Sequence, residues 1–232
     1  MRKAFDRAIM DLLNDVNSMG TRVDRILGDT LKALIEQDFV LSKQIYENDY
    51  KINNMETAIE QSAISLIALQ QPVATDLRRI TACLKVVTDI ERIGDQCADI
   101  CEVMNSNPNF HQIEVPTKVV RQFEKAKEMF VASMESFMQM DEETAKDVIN
   151  QDDVVDDLFV QIVLDMTTKI EENTKFKSQA VDYMFISKYI ERIADHATNI
   201  GEWAIYAVTG EHKSYDPLEA DDFDDEEDDL LN

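Results

Sequence analysis

Apolar side chains recur along this chain in steps of three and four. One row runs from Phe5 through Ile9, Leu12, Val16, Met19, Val23 and Ile26 to Thr30. Another runs from Val119 through Phe123, Ala126, Phe130 and Ser133 to Phe137. Such steps return to one face of an α-helix, so both rows predict long amphipathic helices. Pro72 splits a long periodic region, Pro108 and Pro116 bracket a polar stretch over 105–115, and Pro217 opens a different kind of sequence. The rows lose phase near Gln37–Phe39 and Met140–Glu143, which predicts two further loops without Pro or Gly. Six helices follow, at about 2–37, 40–70, 73–105, 116–140, 143–172 and 177–209. Short connections between long helices make neighbours antiparallel, as in a bundle.

The pattern is present twice. Residues 90–93 read Ile-Glu-Arg-Ile and so do 190–193, with Asp95 and Asp195 following at the same offset. The fold class expected is therefore all-α: two tandem three-helix bundles related by internal duplication. Residues 1–107 form the first repeat, 108–115 a linker, 116–212 the second repeat and 213–232 an acidic tail. A repeat this long is not that of a solenoid.

Composition agrees and adds an electrostatic constraint. Of 232 residues, Gly accounts for 5 and Pro for 4. That is too few for a many-stranded β protein, which needs turn residues every ~8–12 positions. Asp and Glu number 47 against 23 Lys and Arg, a formal net charge of −24. Ten of the acids lie between Asp216 and Asp229; without them 37 acids face 23 bases, a net of −14. A body this acidic repels a phosphate backbone, so nucleic acid is not an expected partner. It suits cations or a basic surface. The tail is too charged and too poor in aromatics to fold alone, so disorder is expected there. Three cysteines, Cys83, Cys97 and Cys101, give no disulfide framework and fit a reducing compartment. Asp6 interrupts the region where a signal peptide needs an apolar run, and no long apolar stretch spans a membrane. A cytoplasmic protein is expected, reaching a membrane only through partners.

The candidate chemistry lies in acids that share the phase of the apolar rows. On the third helix Leu77, Ile80, Leu84 and Val87 lead to Glu91, Asp95 and, one turn on, Asp99. On the sixth, Val181 and Met184 lead to Glu191, Asp195 and Asn199. On the second helix Asp49 and Glu56 lie within the stripe of Ile45, Ile52, Ile59 and Ala63, with Asn53 at its border. On the fifth, Asp152 points into the stripe of Val148, Val155, Phe159, Ile162 and Met166, and Asp156 borders it. Buried carboxylates neutralise, pair or bind a cation. A hard or borderline multivalent ion would use these oxygens as ligands. Arg or Lys could do the same, but Arg92 and Arg192 leave their helices about 100° away from the acids. Acids four apart on a helix are ordinarily a solvated face, and spacing alone leaves that reading open beside the metal one. The di-iron pattern Glu-x-x-His is absent, which disfavours ferritin-type oxidation. The three cysteines lie on another face and read as core packing.

Residues 71–80, Gln-Pro-Val-Ala-Thr-Asp-Leu-Arg-Arg-Ile, with Ile-Glu-Arg-Ile-Gly-Asp at 90–95 and Ile-Glu-Arg-Ile-Ala-Asp-His-Ala-Thr-Asn-Ile-Gly at 190–201, resemble the two signature segments of the PhoU family of bacterial phosphate-signalling regulators. The resemblance covers residues 1 to 212. It implies two similar three-helix bundles whose Glu/Asp-x-x-x-Asp motifs hold multinuclear metal clusters, iron first, with Mg, Mn or Zn as other occupants. By position the first metal site would use Glu91, Asp95 and Asp99 facing Asp49 and Asn53. The second would use Glu191, Asp195 and Asn199 facing Asp152 and Asp156. The resemblance further implies a homodimer that negatively regulates the phosphate-starvation response. Its partners would be the ATPase subunit of the phosphate ABC transporter and a sensor histidine kinase. No nucleophile with a base, P-loop or nucleotide fingerprint is present, so an adaptor rather than an enzyme is expected. A metal-dependent phosphatase and a metal-storage bundle are the alternatives.

Overall fold

The computed structural model describes residues 2–72 and 74–211, and every regular element among them is helical. α1 spans Arg2–Glu36, α2 Phe39–Asn48, α3 Tyr50–Gln70 and α4 Ala74–Ser106. A single 3-10 turn, Phe110–Gln112, leads to α5 over Thr117–Gln139. α6 covers Glu142–Ile149, α7 Asp152–Glu172 and α8 Lys177–Thr209, with a 3-10 turn at Thr174–Phe176 before α8. The tail expected from 213 lies outside the described residues. No described helix is long and apolar enough to cross a membrane.

The same turn closes the first long helix of each half. Gln37 and Met140 take left-handed backbone, φ 52° and 59°. Each is followed by an aspartate whose side chain accepts from two backbone N–H groups of the next helix: Asp38 from Val40 and Leu41, Asp141 from Glu143 and Thr144. An acceptor at the N-cap satisfies donors that the first turn leaves free. The loops expected at these two places are thereby explained without Gly or Pro.

The helices expected over 40–70 and 143–172 are each two helices. In the first half, Asp49 N–H donates to the Tyr46 carbonyl and Ile52 N–H to the Asp49 carbonyl. In the second, Gln151 N–H donates to Val148 and Val154 N–H to Gln151. Two successive i to i−3 bonds tighten the backbone and redirect its axis. Local hydrogen bonding of this kind has no Pro or Gly signature. The bend falls on Asp49 in one half and immediately before Asp152 in the other.

The apolar rows face inward as the spacing requires. Leu12, Val16, Met19 and Val23 of α1 are buried, as are Val119, Phe123, Ala126, Phe130 and Phe137 of α5. Leu77 departs from this: at the open start of α4 it is 39% exposed. One continuous core links both halves. Its spine is the antiparallel packing of α4 on α8. Lys85 lies over the Trp203 ring, Asp89 meets His196 and Asn199, and Asn107 meets Ser178 and Asp182, so numbers rise along one helix as they fall along the other. α1 packs on α5, where Lys127 and Asp24 pair at 3.2 Å. Equivalent helices of the two repeats thus face each other, related by an approximate half-turn. The segment 108–115 is more than a polar linker. Phe110 is fully buried, its ring 6.4 Å from Phe39 and 5.1 Å from Tyr183, so it joins the first half to the second.

Candidate metal centre

The first acid group forms where the bend between α2 and α3 meets the middle of α4. The bend supplies Asp49, the next turns of α3 supply Asn53 and Glu56, and α4 supplies Glu91, Asp95 and Asp99. Ile52, fully buried beside Asn53, anchors this turn of α3 against Gly94. Burial first, then the charges of Asp95 and Asp99, push the Asp49 carboxyl up to about 6. Burial, Asp95, Glu56 and Asp49 lift Glu91 to about 7 against the opposing charge of Arg92. Burial likewise raises Asp95, Asp99 and Glu56, whose hydrogen bond with Thr88 pulls the other way. Like charges sharing a partly desolvated space favour the protonated form.

The second group repeats this between α7 and α8. Asp152 opens α7 directly after the bend, Asp156 lies one turn on, and Glu191 and Asp195 come from α8. Gln122 holds the register: this fully buried side chain accepts from the Ser187 hydroxyl at 2.7 Å and donates to the Val155 carbonyl at 3.3 Å. α7 is thereby tied to α5 and α8 next to Asp156. Burial, Asp195, Asp156 and Glu191 push Asp152 up to about 7. Burial, Glu191 and Asp156 push Asp195 up to about 6, although its tip meets solvent. Asp156 is raised by burial and Glu191.

Two expectations are corrected by side-chain reach. Arg92 leaves α4 on another face but folds back, Nε 3.5 Å from Glu91 and Nη1 3.2 Å from Asp95. A guanidinium on a three-carbon stem is not confined to the direction of its Cα–Cβ bond. In the second group Lys188 takes the corresponding role, its Nζ 2.5 and 2.6 Å from the two Glu191 oxygens. The acids also do not interrupt the apolar seam. That seam continues through Ile90, Ile93 and Cys97 in α4 and Ile190, Ile193 and Ala197 in α8, all buried. The acids line its edge: Glu91 is buried, Asp152 and Glu191 are half-buried, and Asp156 and Asp195 are exposed.

Eight of the ten expected donors fall into these two groups: Asp49, Glu91, Asp95 and Asp99 in one, Asp152, Asp156, Glu191 and Asp195 in the other. Asn53 stands beside the first, and its Oδ1 is buried with no hydrogen-bond partner. Asn199 turns its amide nitrogen away from the acids to donate to Asp89 at 3.1 Å. Among the described residues, no three His, Cys, Asp or Glu side chains close around a single point tightly enough to grip an ion. Glu56, read in the sequence as an acid within the stripe, joins the first group although it was not among the expected ligands. Two participants escaped the sequence reading. Lys188, three residues before Glu191, had only a helical spacing to announce it. Asp89 had no signal, because it acts across the seam between repeats. The three cysteines are free and buried, and burial raises every one of their thiols.

In chemistry, though not in convergence on one point, the donor set fits a hard cation. It consists of oxygens, their mutual repulsion is relieved by positive charge, and the buried Oδ1 atom of Asn53 lacks a partner. Asp49, Asn53, Glu56, Glu91, Asp95 and Asp99 would hold metal in the first group. Asp152, Asp156, Glu191 and Asp195 would do so in the second. Arg92 and Lys188 supply part of the neutralising charge themselves.

The PhoU domain model matches residues 16–104 and again 119–204, one match per repeat. The phosphate-specific transport system accessory protein PhoU homolog of Clostridium acetobutylicum is 32% identical over 210 residues, 90% of this chain and 96% of that protein. The accessory protein PhoU of Escherichia coli K12 is 30% identical over 209 residues, 89% of this chain and 86% of its own. The crystal structure of PhoU from Pseudomonas aeruginosa superposes with a TM-score of 0.84 at 30% identity, covering 89% of this chain and 100% of that one. The phosphate transport system regulatory protein PhoU from Streptococcus pneumoniae shares the fold, with a TM-score of 0.85 at 23% identity over 90% of this chain and 99% of that one.

Proposed function

This chain belongs to the PhoU family, and from that premise we propose that it is a metal-binding regulatory adaptor of bacterial phosphate uptake. It acts in the cytoplasm as a homodimer. It contacts the ATPase subunit of the phosphate ABC transporter and a sensor histidine kinase, and so holds the phosphate-starvation response down. Two acid groups take up multinuclear metal, iron first, and fix the geometry of the bundles that meet those partners. Binding rather than turnover is the activity.

The observation that carries this reading is the coincidence of two repeats. Each segment matched by the family model contains one acid group, built at equivalent places from the bend in the second long helix and the middle of the last. The relatives' names, accessory protein of the phosphate-specific transport system and regulatory protein, support an adaptor role. Deleting the gene should leave phosphate-scavenging genes expressed in phosphate-rich medium. Restoring the chain should silence them, and a version lacking Asp95 and Asp195 should fail to. Continued repression in the deletion strain would overturn the regulatory reading.

A further inference from the structure

The start of α4 meets the end of α8 in a basic corner. Arg78 lies against Gly210, where α8 ends, so closely that a Cβ there would collide with its guanidinium. Arg79 follows, and Lys85 stands two helical turns further along the Arg78 face, its ammonium 5.9 Å from the Trp203 ring of α8. Both arginines are half-buried, and the Nε of each is buried without a hydrogen-bond partner. Arg78 reaches the Thr75 hydroxyl at 3.4 Å. Among the described residues none of Arg78, Arg79 and Lys85 forms an ion pair, in a chain with 47 acids to 23 bases. Asp76 and Glu211 adjoin the corner in sequence and pair with none of the three. Half-buried guanidinium groups with unmet donors fit carboxylates, which accept from two N–H groups at once.

The chain carries such carboxylates next to this place. Ten acids and no base lie between Asp216 and Asp229. The stretch from 211 to 216 spans at most about 22 Å when fully extended, and it begins beside the glycine that touches Arg78. We propose that the corner is the docking surface for the acidic segment of the same chain, Asp216 to Asp229, whose carboxylates take up the unmet donors of Arg78 and Arg79. A basic partner surface that draws these acids away uncovers the arginines. Nothing in this inference rests on bound metal. Docking at the corner opposes a general repulsion, because the rest of the chain carries a net charge of −14. The two effects respond to salt with opposite signs.

The test uses the full chain in metal-free buffer with Ala220→Cys carrying a nitroxide, and the same protein with a diamagnetic analogue of the label as reference. Cys83, Cys97 and Cys101 are buried, which directs the label to position 220. Trp203, the single tryptophan, is the reporter. Its emission relative to the reference should be quenched at about 0.01 M salt and largely recovered at about 1 M, where the screening length has fallen from about 30 Å to about 3 Å. Repulsion without docking gives the reverse, quenching that grows with salt. Arg79→Glu should abolish the low-salt quenching, and Arg79→Lys, which keeps the charge, should retain most of it. Arg79 is the position to change because Arg78 also packs on the end of α8. The reference label cancels any effect of a variant on Trp203 itself. Quenching that is unchanged by salt or rises with it, or that survives Arg79→Glu, overturns the inference.

Discussion

Asp89 and His196 meet at 2.9 Å although 107 residues separate them along the chain. The contact exists because the last helix of one repeat lies antiparallel on the last helix of the other. The two bundles therefore share a core and are not two beads on a linker. Unfolding of metal-free protein should accordingly be one cooperative transition. Trp203, the single tryptophan, lies on α8 with the Lys85 ammonium of α4 5.9 Å from its ring, so its fluorescence reports this seam. Urea curves followed by Trp203 fluorescence and by far-ultraviolet dichroism should superimpose. Two separated midpoints would contradict the shared core.

The connecting segment contributes to the same unity through Phe110. Truncating a fully buried phenylalanine typically costs about 3–5 kcal/mol. Phe110→Ala should lower the urea midpoint accordingly, whereas His111→Ala, at an exposed neighbour, should change little. Equal effects of the two would show that the segment is only a tether.

The helices, their duplication and the loops at Gln37–Asp38 and Met140–Asp141 were legible in the sequence because each depends on spacing within one helix or on a local capping acid. The grouping of Asp49 with Glu91 and Asp95, and of Asp152 with Glu191 and Asp195, was legible for the same reason: acids in phase with a core stripe end near the core. The bends before Ile52 and Val154 were not, since they rest on two backbone hydrogen bonds that almost any residue can make. Arg92 and Lys188 were hidden by the length of their side chains. Asp89 was hidden because nothing in its own helix says that α8 will lie over it.

The raised carboxyls make stability depend on pH with a definite sign. Asp49 and Asp195 move from 3.8 to about 6, Asp152 from 3.8 to about 7 and Glu91 from 4.5 to about 7. Between the unfolded and folded values the native state holds more protons, so stability falls as pH rises through that window. Metal-free protein should melt higher near pH 5 than near pH 8, and a bound divalent ion should remove the loss at pH 8. A melting temperature that instead rises from pH 5 to pH 8 without metal would refute the coupling of these acids.

Lys188 neutralises Glu191 in the absence of metal, so the two should compete. Lys188→Met keeps the stem and removes the charge. An ion pair whose lysine is this exposed is worth about 1 kcal/mol or less, so the metal-free variant should melt only slightly below the parent. Its gain in melting temperature on adding Mn²⁺ should exceed the parent's. An equal or smaller gain would show that Lys188 and the ion do not share a site.

Anomalous scattering from crystals of the natively purified protein, collected at the iron edge, tests the metal assignment most directly because it locates and identifies ions together. Peaks are expected at both acid groups, one set against Asp49, Glu91 and Asp95 and the other against Asp152, Glu191 and Asp195. Maps with no peak at either group, after soaking in iron and manganese in turn, and with Glu91 still on Arg92 and Glu191 still on Lys188, would contradict it.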